Sequence, residues 1–249
     1  MLVAALRHRG KDYLAERPGP WTGSPLLYPW ANRLSAERVS VRERTVDAST
    51  ARRDENGVPL HGLPEARRGW VVEHSNATSV RARRVWDEDA FPFPHELVVE
   101  HRLTPRGLET ATEVRGDTPV SFGWHPFLRL PGVPRERWRV TLVSRRRLVL
   151  DDRLLPTGRS EPWVPAQFEL ADRHFDEALT EVDGAFALEG GQRRVEVEFL
   201  EGAPYAQFFA PRGEPVACFE PMAAPADALV SGDGLAWAPW RMRFEIRVV

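Results

Sequence analysis

The segment Leu108-Glu-Thr-Ala-Thr-Glu-Val114 alternates along its length. Its even-numbered residues are leucine, threonine and valine, and two of its three odd-numbered residues are glutamate. A period of two residues is that of a β-strand with one face on a core and the other toward solvent. The segment therefore predicts a half-buried strand.

The same alternation recurs along much of the chain. Further examples are Trp138, Val140 and Leu142; Val195, Val197 and Phe199; and Phe244, Ile246 and Val248. Glycine and proline turns separate these runs, and 22 prolines leave room only for short helices, for which the candidates are Glu169 to His174 and Pro225 to Val230. Many short strands at near-regular spacing predict an all-β fold, a large antiparallel β-sandwich. No linker or repeat interrupts it, so we expect a single domain over residues 1–249.

Charge and cysteine content restrict the functional classes. The formal net charge is −2 with acids and bases interleaved, so we expect neither a nucleic-acid nor a membrane partner. The single cysteine, Cys218, cannot form an intrachain disulfide, and no apolar run suggests a signal peptide or a membrane span; both predict a cytoplasmic protein. The seven histidines form no metal-ligand motif, so we predict no metal and no cofactor.

Two histidines and a glutamate stand where an apolar run meets a turn residue. These pairs are His61-Gly62, His125-Pro126 and Glu220-Pro221. Such positions allow a β scaffold to present a side chain to a cleft. A positioned imidazole and carboxylate can transfer protons to and from a small substrate without a metal.

Five short motifs in order resemble the aldose 1-epimerase (galactose mutarotase-like) family, over most of the chain from about Gly23 to Glu245. They are Gly23-Ser-Pro-Leu-Leu-Tyr-Pro-Trp-Ala-Asn-Arg33, His61-Gly-Leu-Pro64, Gly123-Trp-His-Pro-Phe127, Phe175-Asp176 and Phe219-Glu-Pro-Met222. The resemblance implies a β-sandwich of the galactose mutarotase-like supersandwich type, with a sugar site on a concave sheet face. It also implies a cofactor-independent isomerase that interconverts the α and β anomers of a free aldose.

The family usually has more strand sequence before the first motif. About twenty residues precede Gly23 here, so we expect an early edge strand to be absent or replaced. An exposed edge favours pairing with another chain, and we expect a monomer or a homodimer.

The resemblance also assigns roles to individual residues. It makes His125 the general acid and Glu220 the general base, with His61 contacting the sugar beside His125 and keeping that region electropositive. Arg33 is the substrate-binding cation and Asn32 braces its turn. Asp176 orients the substrate, with Asp172 and Glu177 close enough in sequence to leave that assignment open.

Two further groups of residues are predicted to lie near the site. Trp30, Trp124 and Phe209 are candidates for an aromatic wall against the sugar. Cys218 shares a strand face with Glu220, where it either lines the pocket floor or fills the core. Arg67 and Arg68 follow the His61 motif but match no family position.

Two alternative functions stay open. A hexose-6-phosphate 1-epimerase would require a cationic phosphate pocket, for which arginines are plentiful. A non-catalytic sugar-binding or sensor protein of the same fold would need neither a proton donor nor a base, so the presence of both His125 and Glu220 argues against it.

Overall fold

The alternating segments form the strands of two large antiparallel sheets. The computed structural model describes residues 2–16, 21–164 and 166–249. The strands of the first half of the chain are β1 (Leu2–Val3), β2 (Arg7–His8), β3 (Lys11–Asp12), β4 (Ser24–Leu27), β5 (Arg38–Val41), β6 (Arg44–Asp47), β7 (Arg52–Arg53), β8 (Pro59–Leu60), β9 (Val71–Ser75), β10 (Ser79–Glu88), β11 (Phe91–Leu103), β12 (Gly107–Gly116) and β13 (Pro119–Val120). Those of the second half are β14 (Gly123–Trp124), β15 (Phe127–Leu128), β16 (Arg139–Thr141), β17 (Ser144–Leu150), β18 (Pro156–Pro162), β19 (Gln167–Glu169), β20 (Phe175–Val182), β21 (Gly184–Gly190), β22 (Arg193–Glu201), β23 (Tyr205–Ala210), β24 (Ala217–Met222), β25 (Ala236–Trp237) and β26 (Trp240–Val248).

Helices are short in this fold. Within residues 2–16, 21–164 and 166–249 they comprise two 3₁₀ turns, Pro64–Arg67 and Arg135–Arg137, and one helix, α1 (Ala228–Ser231). The helix expected near Pro225 to Val230 is thus confirmed by its overlap with α1. The helix expected over Glu169 to His174 is wrong: β19 ends at Glu169, and Ala171 has a φ of 45°, which no right-handed helix allows.

In the described part of the chain, each large sheet contains nine strands. The first runs β1-β4-β14-β24-β23-β20-β17-β18, and β15 also pairs with β24. The second runs β19-β16-β21-β22-β26-β12-β11-β10-β9, so the last strand in the sequence, β26, lies between β12 and β22. Its neighbours there are antiparallel to it.

One hydrophobic cluster draws on both sheets. Phe208 and Phe219 enter it from the first sheet, and Leu108 and Phe244 from the second. The alternation of β12 is confirmed, because Leu108, Thr110, Thr112 and Val114 are buried and the residues between them are partly exposed. Burial of each large apolar side chain stabilises the fold by about 1.5–3 kcal/mol.

The N-terminal residues form one edge of the first sheet. Leu2 and Val3 pair with Pro25 and Ser24 and form a two-residue edge strand, so an edge strand is present. At one edge of the second sheet, every residue of β9 is exposed. Within the described part of the chain, no helix is long and apolar enough to cross a membrane.

Candidate active site

Four neighbouring strands of the first sheet bring distant residues onto one face. Asp176 on β20 lies opposite Phe209 on β23, and Phe209 lies opposite Cys218 on β24. On the other side of β24, Cys218 lies opposite Phe127. Residues directly opposite in a ladder project from the same sheet face, and so do residues two positions apart on one strand.

A second row of the same face carries two polar residues. Gln207 on β23 lies directly opposite Glu220 on β24. Since Gln207 is two residues from Phe209 and Glu220 is two residues from Cys218, all four side chains project from one face. The register of the sheet therefore assembles Asp176, Gln207 and Glu220 although they are distant in sequence.

His125 and Glu220 are in direct contact. His125 Nε2 lies 3.2 Å from Glu220 Oε1, and the two side chains are almost fully buried. The His125 backbone N–H donates to the Pro25 carbonyl oxygen at 3.0 Å, and its ring stacks on Phe127 with centroids 4.1 Å apart. The structure thus brings the two predicted catalytic residues together and fixes the imidazole from two sides.

Burial changes the basicity of Glu220. Desolvation raises the pKa of its carboxyl well above the usual value, the negative charge of Asp176 raises it further, and Arg33 opposes both effects. Its Oε2 atom is buried and has no hydrogen-bond partner among the described residues. Glu220 is therefore a stronger base than a solvated glutamate.

His61 is a neutral hydrogen-bonding group. Its Nδ1 accepts a hydrogen bond from the Asn32 backbone N–H at 3.1 Å, which places the ring proton on Nε2. Burial, then the proximity of His125 and Arg33, lowers its pKa well below the usual value. The expectation that His61 keeps the region electropositive is therefore wrong, because a neutral imidazole carries no charge. Its ring lies beside His125, with centroids 5.4 Å apart.

The first two sequence motifs form one structural unit. The His61 N–H donates to the Asn32 carbonyl oxygen, and the Leu63 N–H donates to that of Tyr28. Gly62 between them has a φ of 79°, and a Cβ there would lie 2.0 Å from the Tyr28 carbonyl oxygen. Only glycine permits this close approach, so Gly62 fixes His61 against the Asn32 turn.

Arg33 lies at the centre of a polar network. Its Nε donates to Asp54 Oδ2 at 2.7 Å, one terminal nitrogen to Asp176 Oδ2 at 3.2 Å, and the other to Asn32 Oδ1 at 3.2 Å. Gln207 closes the ring, because it accepts from Asn32 and donates to Asp176. Asp54 and Asp176 together more than offset the single guanidinium charge and fix the orientation of its plane.

Of the three candidates for the substrate-orienting acid, Asp176 is the one that lies at the cavity. Asp176 lines the cavity, whereas Asp172 is exposed at 3.9 Å from Arg212 and Glu177 pairs with Arg147 at 3.2 Å. The register explains the choice between neighbours, since residues 176 and 177 project from opposite sheet faces.

These residues surround a cavity of about 370 Å³. The six predicted site residues line it, along with nine others: Trp21, Arg52, Glu55, Leu60, Phe127, Leu154, His174, Gln207 and Phe209. Of the three aromatic residues predicted near the site, Phe209 lines the cavity. Trp30 and Trp124 do not, because both are completely buried in the core.

Sequence reasoning missed Gln207 and Asp54. Gln207 lies in a run of apolar and aromatic residues, and only its position opposite Glu220 identifies it. Asp54 lies in a turn, where its Oδ1 accepts from the Asn56 and Val58 N–H groups, and no local pattern relates it to Arg33. Both contacts depend on tertiary structure.

A larger cavity of about 590 Å³ lies elsewhere, beside Arg137 and Gly191. Two of its arginines share one carboxylate: Arg194 bonds Glu189, and Arg139 lies 3.8 Å from the same group. No histidine is among the described residues that line it, so it does not offer the adjacent imidazole and carboxylate of the first cavity.

Comparisons with solved structures agree with this architecture. A galactose mutarotase related enzyme of Lactobacillus acidophilus matches with a TM-score of 0.79 and 19% identity, covering 97% of this chain and 88% of that one. A galactose mutarotase-like protein of Clostridium acetobutylicum matches with a TM-score of 0.78 and 19% identity, covering 92% and 80%. The galactose 1-epimerase of Lactobacillus acidophilus NCFM matches with a TM-score of 0.75 and 13% identity, covering 100% and 88%. At these identities the likeness concerns the fold.

Sequence comparison identifies the family. No curated protein sequence matches this chain significantly. The model of the aldose 1-epimerase family, however, matches residues 4–237, which contain every residue of the candidate site. The chain therefore belongs to the aldose 1-epimerase family.

Proposed function

We propose that this protein is an aldose 1-epimerase, an isomerase that interconverts the α and β anomers of a free aldose. The observation that carries the proposal is the contact of His125 Nε2 with Glu220 Oε1, at 3.2 Å, on the wall of a cavity of about 370 Å³. Pockets for small molecules usually measure about 300–1,000 Å³, so this one suits a single sugar ring better than a polymer.

Anomer exchange requires two proton transfers in each direction. The hemiacetal ring opens when the ring oxygen gains a proton and the C1 hydroxyl loses one. The C1–C2 bond then rotates, and the ring closes on the other carbonyl face. One acid and one base that exchange roles on closure are sufficient for this chemistry.

His125 is assigned as the acid and Glu220 as the base. Protonated His125 donates from Nε2 to the ring oxygen, and Glu220 accepts the proton of the C1 hydroxyl. The raised pKa of Glu220 brings its proton affinity closer to that of an imidazole, which favours return of the proton on closure. Neutral His61 donates a hydrogen bond from Nε2 to the sugar beside them.

The polar network orients the sugar. Each oxygen of Asp176 already accepts one hydrogen bond, from Gln207 or Arg33, and retains a lone pair for a sugar hydroxyl. Arg33 is held by Asp54 and Asp176, so two carboxylates more than offset its single positive charge. This supports its assignment to neutral hydroxyl groups rather than to a phosphate.

The test is anomer exchange measured by polarimetry or by NMR. We expect the protein to accelerate the approach to equilibrium of freshly dissolved α-D-glucose or α-D-galactose well above the buffer rate. The Asp172→Asn variant, which alters an exposed carboxylate outside the cavity, should match the wild type. Absence of acceleration across a panel of neutral aldoses and their 6-phosphates would overturn the proposal.

One observation favours the 6-phosphate alternative. The guanidinium groups of Arg52 and Arg67 both lie over the Trp21 ring, at 5.3 and 5.4 Å, and Arg52 lines the cavity. Neither forms an ion pair within the described residues, and the charge of Arg52 helps to lower the pKa of Arg67, after desolvation. An anion at the cavity mouth would relieve that repulsion, although Glu55 also lines the cavity and opposes it.

Substrate charge and salt separate the two candidates. If the substrate is neutral, glucose should have the higher kcat/KM, salt should matter little, and Arg52→Gln should have little effect. If the substrate is phosphorylated, glucose 6-phosphate should be preferred, and the preference should fall with salt and in Arg52→Gln. The second result would move the assignment to a hexose-6-phosphate 1-epimerase.

A further inference from the structure

Three side chains with three different donor atoms meet at the cavity wall. One donor atom from each of His125, Cys218 and Glu220 lies within 4.8 Å of the other two. The three residues are between 0% and 5% exposed. A nitrogen, a sulfur and an oxygen donor are the atoms that transition metals bind in proteins.

The sheet register accounts for the cluster. Cys218 and Glu220 are two residues apart on β24 and share a face, and His125 lies two residues before Phe127, the partner of Cys218. Because the third donor comes from the connection between β14 and β15, far from β24 in sequence, the sequence shows no local metal-ligand motif. The expectation of no metal site rested on that missing motif.

The distances suit a tetrahedral divalent ion. Zinc binds nitrogen and oxygen at about 2.0–2.1 Å and sulfur at about 2.3 Å, which separates the donors by about 3.3 Å for nitrogen and oxygen and about 3.6 Å for pairs with sulfur. The observed separation of His125 Nε2 and Glu220 Oε1 is 3.2 Å. With all donors within 4.8 Å, the thiol needs to approach by no more than about 1.2 Å.

Charge and hydrogen bonding also favour a divalent cation at this cluster. A thiolate and a carboxylate would neutralise a divalent cation, and a neutral imidazole would complete a three-ligand set. The buried Glu220 Oε2 has no partner among the residues described, so the carboxylate has a free lone pair besides the contact of Oε1 with His125. His125 and Glu220 also line the cavity, so a fourth coordination position would face it.

We propose that His125, Cys218 and Glu220 form a binding site for one thiophilic divalent cation, of which Zn²⁺ is the best fit, and that this ion inhibits the enzyme. The soft sulfur donor disfavours Mg²⁺ and Ca²⁺. Coordination occupies the lone pairs of both His125 and Glu220 and releases the thiol proton, and any proton held between the other two residues, to solvent. The acid and the base can then no longer transfer protons to a sugar.

The direct test is binding of metal to the purified full chain. We expect one equivalent of Zn²⁺ by equilibrium dialysis, with no competition from excess Mg²⁺. Cobalt as Co²⁺ should bind in the same place and show a near-ultraviolet thiolate-to-metal charge-transfer band. Binding without that band, or no stoichiometric binding, would overturn the proposal; both readouts use the wild-type protein and do not depend on a variant that folds.

Variants locate the site. Cys218→Ala should weaken Zn²⁺ binding by at least about 10-fold, since even loss of a supporting partner costs that much. Val216→Ala is the matched control, because Val216 packs in the same small cluster as Cys218 but offers no donor atom. Equal Zn²⁺ binding by Cys218→Ala and the wild type would refute the assignment. Loss of Zn²⁺ binding in His174→Ala would also refute it, because the ion would then lie at the cavity rim.

Inhibition is measured separately. Zn²⁺ should abolish anomer exchange, a chelator should restore it, and Cys218→Ala should need at least about 10-fold more Zn²⁺ for the same loss. This part rests on the proposed function, whereas dialysis and the cobalt spectrum do not, so the two proposals can fail separately. Stoichiometric binding with full activity would refute the inhibitory role.

Discussion

Replacing Glu220 by glutamine should separate catalysis from stability. Glutamine keeps the shape of the side chain and can still accept a hydrogen bond from His125, but it cannot take a proton at neutral pH. Glu220 is 1% exposed and lies 3.2 Å from His125 Nε2. The substitution therefore removes the proposed base with little change in packing.

The two expected effects have opposite signs. General acid–base catalysis contributes about 10²- to 10⁴-fold, so kcat of Glu220→Gln should fall by that factor, equivalent to about 2.7–5.4 kcal/mol in the activation barrier. Stability should not fall. Because the folded state raises the pKa of Glu220 above its unfolded value, the ionised carboxylate destabilises the fold at neutral pH, and a neutral amide removes that cost.

Polarimetry of fresh α-D-glucose and urea unfolding at pH 7 measure these quantities on the same preparation. His125→Asn provides the comparison for the acid and should lose a similar factor in kcat. Near-normal anomer exchange by Glu220→Gln would refute the mechanism. A clearly lower urea midpoint would refute the claim that the buried charge is unfavourable.

Three further predictions concern residues around the site and in the core. Burial lowers the pKa of His101 to about 4. The folded state therefore binds fewer protons than the unfolded state between pH 6.5 and 4, and the free energy of unfolding falls as pH falls through that window. Relative to His101→Gln, the wild type should lose roughly 3 kcal/mol of unfolding free energy from pH 7 to pH 4, and a difference in urea unfolding that does not change with pH would contradict this. Asp54→Asn weakens the 2.7 Å contact with Arg33, so we expect KM to rise about 10-fold with kcat less affected. Steady-state kinetics in which kcat falls and KM stays unchanged would count against a role of Asp54 in positioning Arg33. Gly62→Ala should destabilise the protein by at least about 2 kcal/mol more than Gly57→Ala. Both glycines have positive φ, but of the two only Gly62 faces a backbone oxygen. Equal urea midpoints for the two variants would disprove this.

The strands were predictable because their signal is local. The alternation at Val195 to Phe199 and at Phe244 to Val248 corresponds to β22 and β26, where the same residues face the core. Period-two burial is a property of consecutive residues. The order of strands within each sheet depends on pairing between distant segments, which no single segment encodes.

The site was predictable only in part for the same reason. Motif resemblance identified His125 and Glu220, and the structure places them in contact. It gave no indication of Gln207 or Asp54, whose roles come from the register of β23 and from a turn that reaches Arg33. The charge state of His61 was also beyond reach, because it depends on burial and on a backbone donor 29 residues away.

The central place of β26 has a consequence for synthesis of the chain on the ribosome. Strands β9 to β12 and strands β16 to β22 of the second sheet can each pair early, but the strand that joins the two groups, Trp240–Val248, is made last. Until then, β12 and β22 each present an unpaired edge, and such edges attract strands from other chains. The nascent polypeptide thus has two unpaired strand edges until Trp240–Val248 has left the exit tunnel. The need for chaperones should be greatest just before this segment emerges.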